Sequence, residues 1–250
     1  MTNGWNDIEH ADVVLVMGSN PAENHPISFK YVTKAQEKGG KLVVVDPRVT
    51  RSASLADFYA PIRPGSDIAF LCGVINYLLQ NDKIQREYVV EYTNASYLID
   101  PAFGFNDGVF SGYDAGKKEY NKATWKYQLD SKGIPMQDPS LQNPNCVYQL
   151  MKRHFSRYTP ERVSVITGCP IETWQKVVDM IASTHRPDRV MTIMYAMGIT
   201  QHTVGTQNIR CFGIIQLLLG NIGLAGGGIQ ALRGESNVQG STDYALLWHI

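Results

Sequence analysis

The chain has 250 residues, with 23 Lys plus Arg against 23 Asp plus Glu, and carries no net formal charge. That balance offers no field for nucleic acid or an anionic membrane surface, while a hydrophobic fraction of 44% excludes a disordered chain. The apolar runs all fall short of the roughly 20 residues that span a bilayer, and the length suits one large α/β domain or two small ones.

Two Val-rich runs, 13–17 and 42–45, are too short for helices and read as buried parallel strands. Between them, 27–38 is polar and helical in pattern, so the three form a βαβ unit with a right-handed crossover. The first strand ends on Gly18-Ser19-Asn20-Pro21 and the second on Asp46-Pro47-Arg48, at the same sheet edge. Ligands of open α/β sheets sit outside that edge, where a Gly admits close approach and an acid accepts from a ribose or base. This resembles a nucleotide site, yet neither G-x-G-x-x-G nor G-x-x-x-x-G-K-[ST] occurs. An ordinary βαβ unit with a capped helix would share the pattern.

Residues 51–57 read as a loop or helical turn, and 58–62 as a third strand ending at Arg63-Pro64-Gly65-Ser66-Asp67. Pro64-Gly65 signals a turn, and Ser66 or Asp67 can cap the following helix, 68–79, which is apolar almost all round and so buried. Residues 93–146 keep no sustained period. So long an irregular stretch suggests an insertion with a packing or partner role, or a surface excursion. Helical pattern returns at 147–154, at Thr159-Pro160 (cap and first position) and from Pro170 to about 183. A strand at 189–195 ends on Ala196-Met197-Gly198-Ile199-Thr200-Gln201-His202, and a helix at 206–219 stops at Gly220-Asn221. Gly226-Gly227-Gly228 is a mobile or tightly approached backbone. Arg233, Asn237 and Gln239 then crowd a short loop. A lone loop Arg is normally solvated, but one held among amides is a fork for a small carboxylate or phosphate.

The cysteines, Cys72, Cys146, Cys169 and Cys211, are far apart and fit neither a zinc nor an iron–sulfur pattern; Cys72 and Cys211 read as small core residues. The histidines, His10, His25, His154, His185, His202 and His249, show no ligand spacing. No secretory signal opens the chain, and its last residues follow an apolar run without a stop signal, which suggests a fragment.

Gly18-Ser-Asn-Pro-Ala-Glu-Asn-His-Pro26, Val45-Asp-Pro-Arg48, Pro64-Gly-Ser-Asp-Ile-Ala69, Gly198-Ile-Thr-Gln-His202, Gln216-Leu-Leu-Leu-Gly-Asn221 and Arg233-Gly-Glu-Ser-Asn-Val-Gln-Gly240 occur in this order. Together they resemble the catalytic subunit of molybdenum- or tungsten-dependent formate dehydrogenases, within the wider molybdopterin oxidoreductase family. The insertion, with Tyr92-Thr-Asn-Ala-Ser96 and Phe110-Ser-Gly-Tyr-Asp114, resembles that of the respiratory or periplasmic branch.

The resemblance implies an α/β, Rossmann-like parallel sheet flanked by helices, one cofactor-binding domain of a larger multidomain enzyme. It would span 1–235, with the insertion at about 93–146, and 236–250 would begin the next domain. It implies a bis(molybdopterin guanine dinucleotide) with Mo or W. Gly18, Ser19, Asn20, Glu23, Asp46, Arg48, Gly65 and Asp67 would hold one guanine dinucleotide end, Asp46 and Asp67 on ribose or guanine. Backbone near Gly18 and Gly198 would take phosphate or pterin oxygens, with Gln201 on the pterin side and Met197, Asn237 and Gln239 completing the cofactor contacts. Arg233 matches the family's active-site arginine, which would orient formate during its oxidation to carbon dioxide.

The metal ligand, selenocysteine or cysteine, and the residues of a [4Fe–4S] cluster are expected upstream of Met1, which would then be an internal methionine of a longer enzyme. This chain alone is expected to be inactive. Implied partners are formate, an iron–sulfur electron-transfer subunit and a membrane cytochrome subunit in a periplasmic assembly, with no nucleic acid. The competing readings are a non-catalytic electron-transfer relative of the same fold, and a sister oxidoreductase such as nitrate reductase.

Overall fold

The computed structural model describes residues 1–106, 108–235 and 238–246. A 3-10 turn, Trp5–His10, leads into β1 (Val13–Met17), then α1 (Pro21–Asn24), α2 (Pro26–Glu37), β2 (Lys41–Val45), α3 (Arg51–Ser54) and β3 (Phe58–Ala60). Helices α4 (Asp67–Gln80) and α5 (Arg86–Tyr92) precede four two-residue strands, β4 (Phe105–Asn106), β5 (Val109–Phe110), β6 (Tyr113–Asp114) and β7 (Glu119–Tyr120). Then come α6 (Val147–Phe155), α7 (Pro160–Thr167), α8 (Ile171–Ala182), β8 (Met191–Tyr195), α9 (Met197–Thr200), α10 (Gly205–Leu219), β9 (Ile229–Ala231) and α11 (Val238–Asp243).

The main sheet runs β3-β2-β1-β8-β9, and every neighbouring pair is parallel. It is the Rossmann-like sheet the sequence leads one to expect. Val, Ile and Met dominate its central strands because both faces are covered by helices. Alternate β1 residues serve two cores. Val13, Leu15 and Met17 pack with α4, α8 and α10, whereas Val14 and Val16 pack with α2 and the 3-10 turn.

Register decides where the site falls. Met17 is level with Val45 and with Tyr195, Val45 with Ala60, and Tyr195 with Ala231. Five strands therefore finish on one line and their following loops open at one edge. The chain order reverses between β1 and β8, which makes the crevice at their ends the switch point.

Several local expectations change. The third strand stops at Ala60 rather than 62. Ser66 occupies the N-cap position of α4 as expected but makes no side-chain cap bond, its hydroxyl donating to the Arg63 carbonyl 2.6 Å away, and Asp67 is already helical. In 93–146 the four short strands form two hairpins, while Ala95, Leu98, Leu141 and Cys146 at the stretch's ends belong to the main core. The Gly226 and Gly227 region is of the tightly approached kind, since a Cβ on Gly226 would stand 2.6 Å from the His10 carbonyl carbon. The expectations for strand β1, helix α10 and the Thr159 cap agree with the structure, the Thr159 side chain accepting from the Arg162 N–H.

Candidate functional site

At the switch point the loops after β1 and β8 cross in contact. The Gly198 N–H donates to the Gly18 carbonyl at 3.0 Å. Gly18 has φ +60, and a Cβ there would meet the Gly198 carbonyl carbon at 2.6 Å; a Cβ on Gly198 would meet the Gly18 oxygen at 2.6 Å. Only glycine fits either position. In front of this crossing opens a cleft of about 430 Å³.

The wall from the β1 loop is tied to α3. Asn20 Oδ1 accepts from the Ser52 N–H at 3.1 Å and the Ser52 hydroxyl at 2.8 Å, and its Nδ2 donates to Glu23 Oε2 at 2.7 Å. Asn20 and Glu23 are thus committed to shaping the loop. Ser19 is different. It is buried, it lines the cleft, and its Oγ has no hydrogen-bond partner in the structure. A buried hydroxyl left without a partner is costly unless a ligand or water completes it.

The opposite wall carries two carboxylates. Asp46 closes a turn by accepting from the Arg48 N–H at 2.9 Å, and burial pushes its carboxyl above the usual range. Asp67, at the start of α4, is 4% exposed; burial raises its carboxyl too, and the nearby Asp46 charge adds to the shift. His202 Nε2 lies 3.8 Å from Asp67 Oδ2 and donates to the Gly198 carbonyl at 2.7 Å. Desolvation favours the neutral acid in both aspartates, so each can accept from a ligand's hydroxyl or amine or, once protonated, donate.

Of the residues singled out from sequence, Gly18, Ser19, Asn20, Asp46, Arg48, Asp67, Met197 and Gly198 line this one cleft. Glu23 stands just outside it, bonded to Asn20. Gly65 occupies the exposed turn beside Pro64, which does line the cleft. Gln201 is exposed at the end of α9. Arg233 is exposed, between Leu232 and Gly234 of the cleft wall, and its positive charge partly offsets the upward push of burial on the Tyr195 hydroxyl. Asn237 and the side chain of Gln239 lie outside the described residues.

Two histidines passed over for want of ligand spacing also line the cleft. His25 Nε2 donates to the Arg233 carbonyl at 2.9 Å, and the ring packs on Trp5 with centroids 5.6 Å apart. Their signal was position rather than spacing: each follows a strand end at the same edge as the glycines.

Residues 1–246 match the model of a family described as molybdopterin oxidoreductase. The chain is 54% identical over 250 residues to formate dehydrogenase subunit alpha of Megalodesulfovibrio gigas, covering 100% of this chain and 25% of that protein. It is 56% identical over 248 residues to the nitrate-inducible formate dehydrogenase major subunit of Escherichia coli K12, covering 99% of this chain and 24% of that protein. The chain thus spans about a quarter of the length of these relatives. Among solved structures, acetylene hydratase from Pelobacter acetylenicus shares the fold, with a TM-score of 0.57 at 20% identity over 88% of this chain and 24% of that one.

Proposed function

The chain belongs to the molybdopterin oxidoreductase family, and on that premise we propose that it is part of the catalytic subunit of a formate dehydrogenase. The observation that carries this reading is an identity of 54% extending over all 250 residues. On this reading residues 1–235 form one cofactor-binding domain, with an insertion at about 93–146, and 236–250 begin the next.

The cleft's chemistry fits the guanine dinucleotide arm of a bis(molybdopterin guanine dinucleotide). The unpartnered Ser19 hydroxyl and the two buried carboxylates supply the polar contacts a ribose and a guanine require, and the Gly18–Gly198 crossing admits a ligand close to backbone. Asp46 and Asp67 take ribose or guanine donors, and Arg48 offers its charge to phosphate. Asn20, Glu23 and Gly65 shape the loops. Gln201 belongs to the pterin side, and Met197, Asn237 and Gln239 complete the set of cofactor contacts the resemblance implies. When bound, the molybdenum or tungsten cofactor supplies the redox centre that takes up the electrons of formate oxidation.

Arg233 pairs with the formate carboxylate, fixes its plane through two parallel N–H donors and stabilises charge that shifts as carbon dioxide forms. His25 supports that loop through the Arg233 carbonyl. A selenocysteine or cysteine metal ligand and a [4Fe–4S] cluster belong to parts of the subunit outside these 250 residues. In the assembled enzyme an iron–sulfur electron-transfer subunit and a membrane cytochrome subunit would be the partners that receive the electrons, with the catalytic part on the periplasmic side.

The test is a segment exchange: this chain replaces the corresponding segment of the E. coli nitrate-inducible major subunit, and the purified hybrid is assayed for formate-dependent dye reduction and for guanine nucleotide released by acid. Formate oxidation with released nucleotide supports the reading. A folded hybrid that releases nucleotide but does not oxidise formate overturns the substrate, and one without nucleotide overturns the cofactor role.

A further inference from the structure

Strand β9 ends at Ala231, so Arg233 sits in a loop with no regular structure of its own. Its backbone is nevertheless held on both sides. The Leu232 N–H donates to the Tyr195 carbonyl at 2.8 Å, which ties the loop to the end of β8. The Arg233 carbonyl accepts from His25 Nε2 at 2.9 Å, from 208 residues away in the chain. One imidazole thereby joins the loop after β1 to the loop after β9 across the rim of the cleft that His25 lines.

The ring is aimed by its own segment. Pro26 disfavours helix at the residue before it, and His25 breaks the chain between α1 and α2 at φ −138, ψ 56. Its carbonyl accepts from the Ser28 N–H at 3.0 Å, the Ser28 hydroxyl at 2.8 Å and the Phe29 N–H at 3.1 Å, which fixes the backbone from which the side chain departs. The imidazole then rests against the Trp5 indole with the planes 31° apart, and its Nδ1 stands 2.6 Å from Asn24 Oδ1. A carbonyl only accepts, so the bond to Arg233 requires a proton on Nε2. The neutral ring then presents Nδ1 as an acceptor, and a half-turn of the Asn24 amide offers it an N–H.

Taking Arg233 as the formate-binding arginine, the reading on which this rests, we propose that His25 is a positioning residue for that pairing. A bidentate pair with a carboxylate depends on where the guanidinium plane begins, and a long side chain on an unbraced loop carries the motion of the loop to its tip. By holding the carbonyl of Arg233 itself, His25 sets the origin of that side chain, and Asn24 and Trp5 set His25. His25 acts through Arg233 and touches no reacting atom. The Nε2–H is the working part. A Phe ring would fill the same space and keep the Trp5 contact but release the carbonyl. A Gln amide reaches the same point with an N–H, and Asn, one carbon shorter, does not.

The test uses the hybrid subunit of the segment exchange and reads kcat/KM for formate beside hydrogen–deuterium exchange across 229–235. His25→Phe should lower kcat/KM about tenfold and speed exchange of the Leu232 amide. His25→Gln should restore both to within about threefold of the unaltered hybrid, and His25→Asn should not. With Arg233→Lys already present, His25→Phe should cost less than about twofold more, because the fork it positions is gone. Guanine nucleotide released by acid should be the same in every variant. Equal cost with and without Arg233→Lys, His25→Phe as active as His25→Gln, unchanged exchange at Leu232, or nucleotide lost from His25→Phe would each overturn the proposal. Undiminished formate oxidation in Arg233→Lys overturns the formate reading instead, and exchange at Leu232 still decides whether His25 holds the loop.

Discussion

Two aspartates carry the electrostatic strain of the cleft. Burial raises the folded pKa of Asp46 and Asp67 above the unfolded value near 3.8, so the folded state binds more protons between the two values. Their stabilising protonated form is fully present below the unfolded pKa and is lost as pH rises through the folded one. Asp67→Asn removes that cost, and the ligand-free chain should gain about 1 kcal/mol at pH 7. The difference from wild type should shrink as pH is lowered through the folded pKa, as urea unfolding at a series of pH values would show. In the assembled enzyme the same change should lower the guanine nucleotide retained; unchanged retention would remove Asp67 from the cofactor site. At Gly18 the limit is steric. Gly18→Ala combines φ +60 with a 2.6 Å approach to Gly198 and should cost about 3 kcal/mol in urea unfolding.

Among the elements, those built on local pattern were legible and those built on distant partners were not. Thr159 followed by Pro160 announces α7 wherever the helix lies, and Thr159→Ala should cost about 1 kcal/mol by loss of the cap to Arg162. Strand β9 gave no such signal. Ile229-Gln-Ala231 is short and polar at its centre, and it becomes a strand because Gln230 is buried beside Thr192, with Nε2 donating to the Thr192 hydroxyl at 3.3 Å and the Gly227 carbonyl at 3.2 Å. Gln216 secures the same edge from α10 by donating to the Met191 carbonyl at 2.9 Å and also to that of Gly228. Gln216→Leu strips a donor from two buried carbonyls and should destabilise by about 2 kcal/mol, read as a lower denaturation midpoint. Ser66 takes the N-cap position its sequence context suggests but turns its hydroxyl back to the Arg63 carbonyl of the preceding turn rather than to the helix.

For the molecule as a whole, the hairpin region is an appendage on a closed core. The Leu98 N–H meets the Met136 carbonyl at 2.9 Å, so residues 100–134 leave and return at one point, and their aromatic rings pack largely on one another, as Phe110 does on Trp125 at 5.3 Å between centroids. Excision of 100–134 with a short Gly–Ser closure should leave a single cooperative unfolding transition; a broad, non-cooperative one would show that the hairpins support the sheet. The sequence by itself determined the class of fold, the two central strands and the glycines and acids at their ends, because hydrophobic period and backbone permissiveness are local properties. It also determined the family, since motif order is a property of the chain. The tertiary structure alone decided that five strand ends stand in register, that Ser19 is buried without a partner, that His25 and His202 join the cleft, and that Cys72 meets Cys211 across 139 residues. Those are contacts between segments distant in sequence, and register, burial and packing fix them only once the chain has closed.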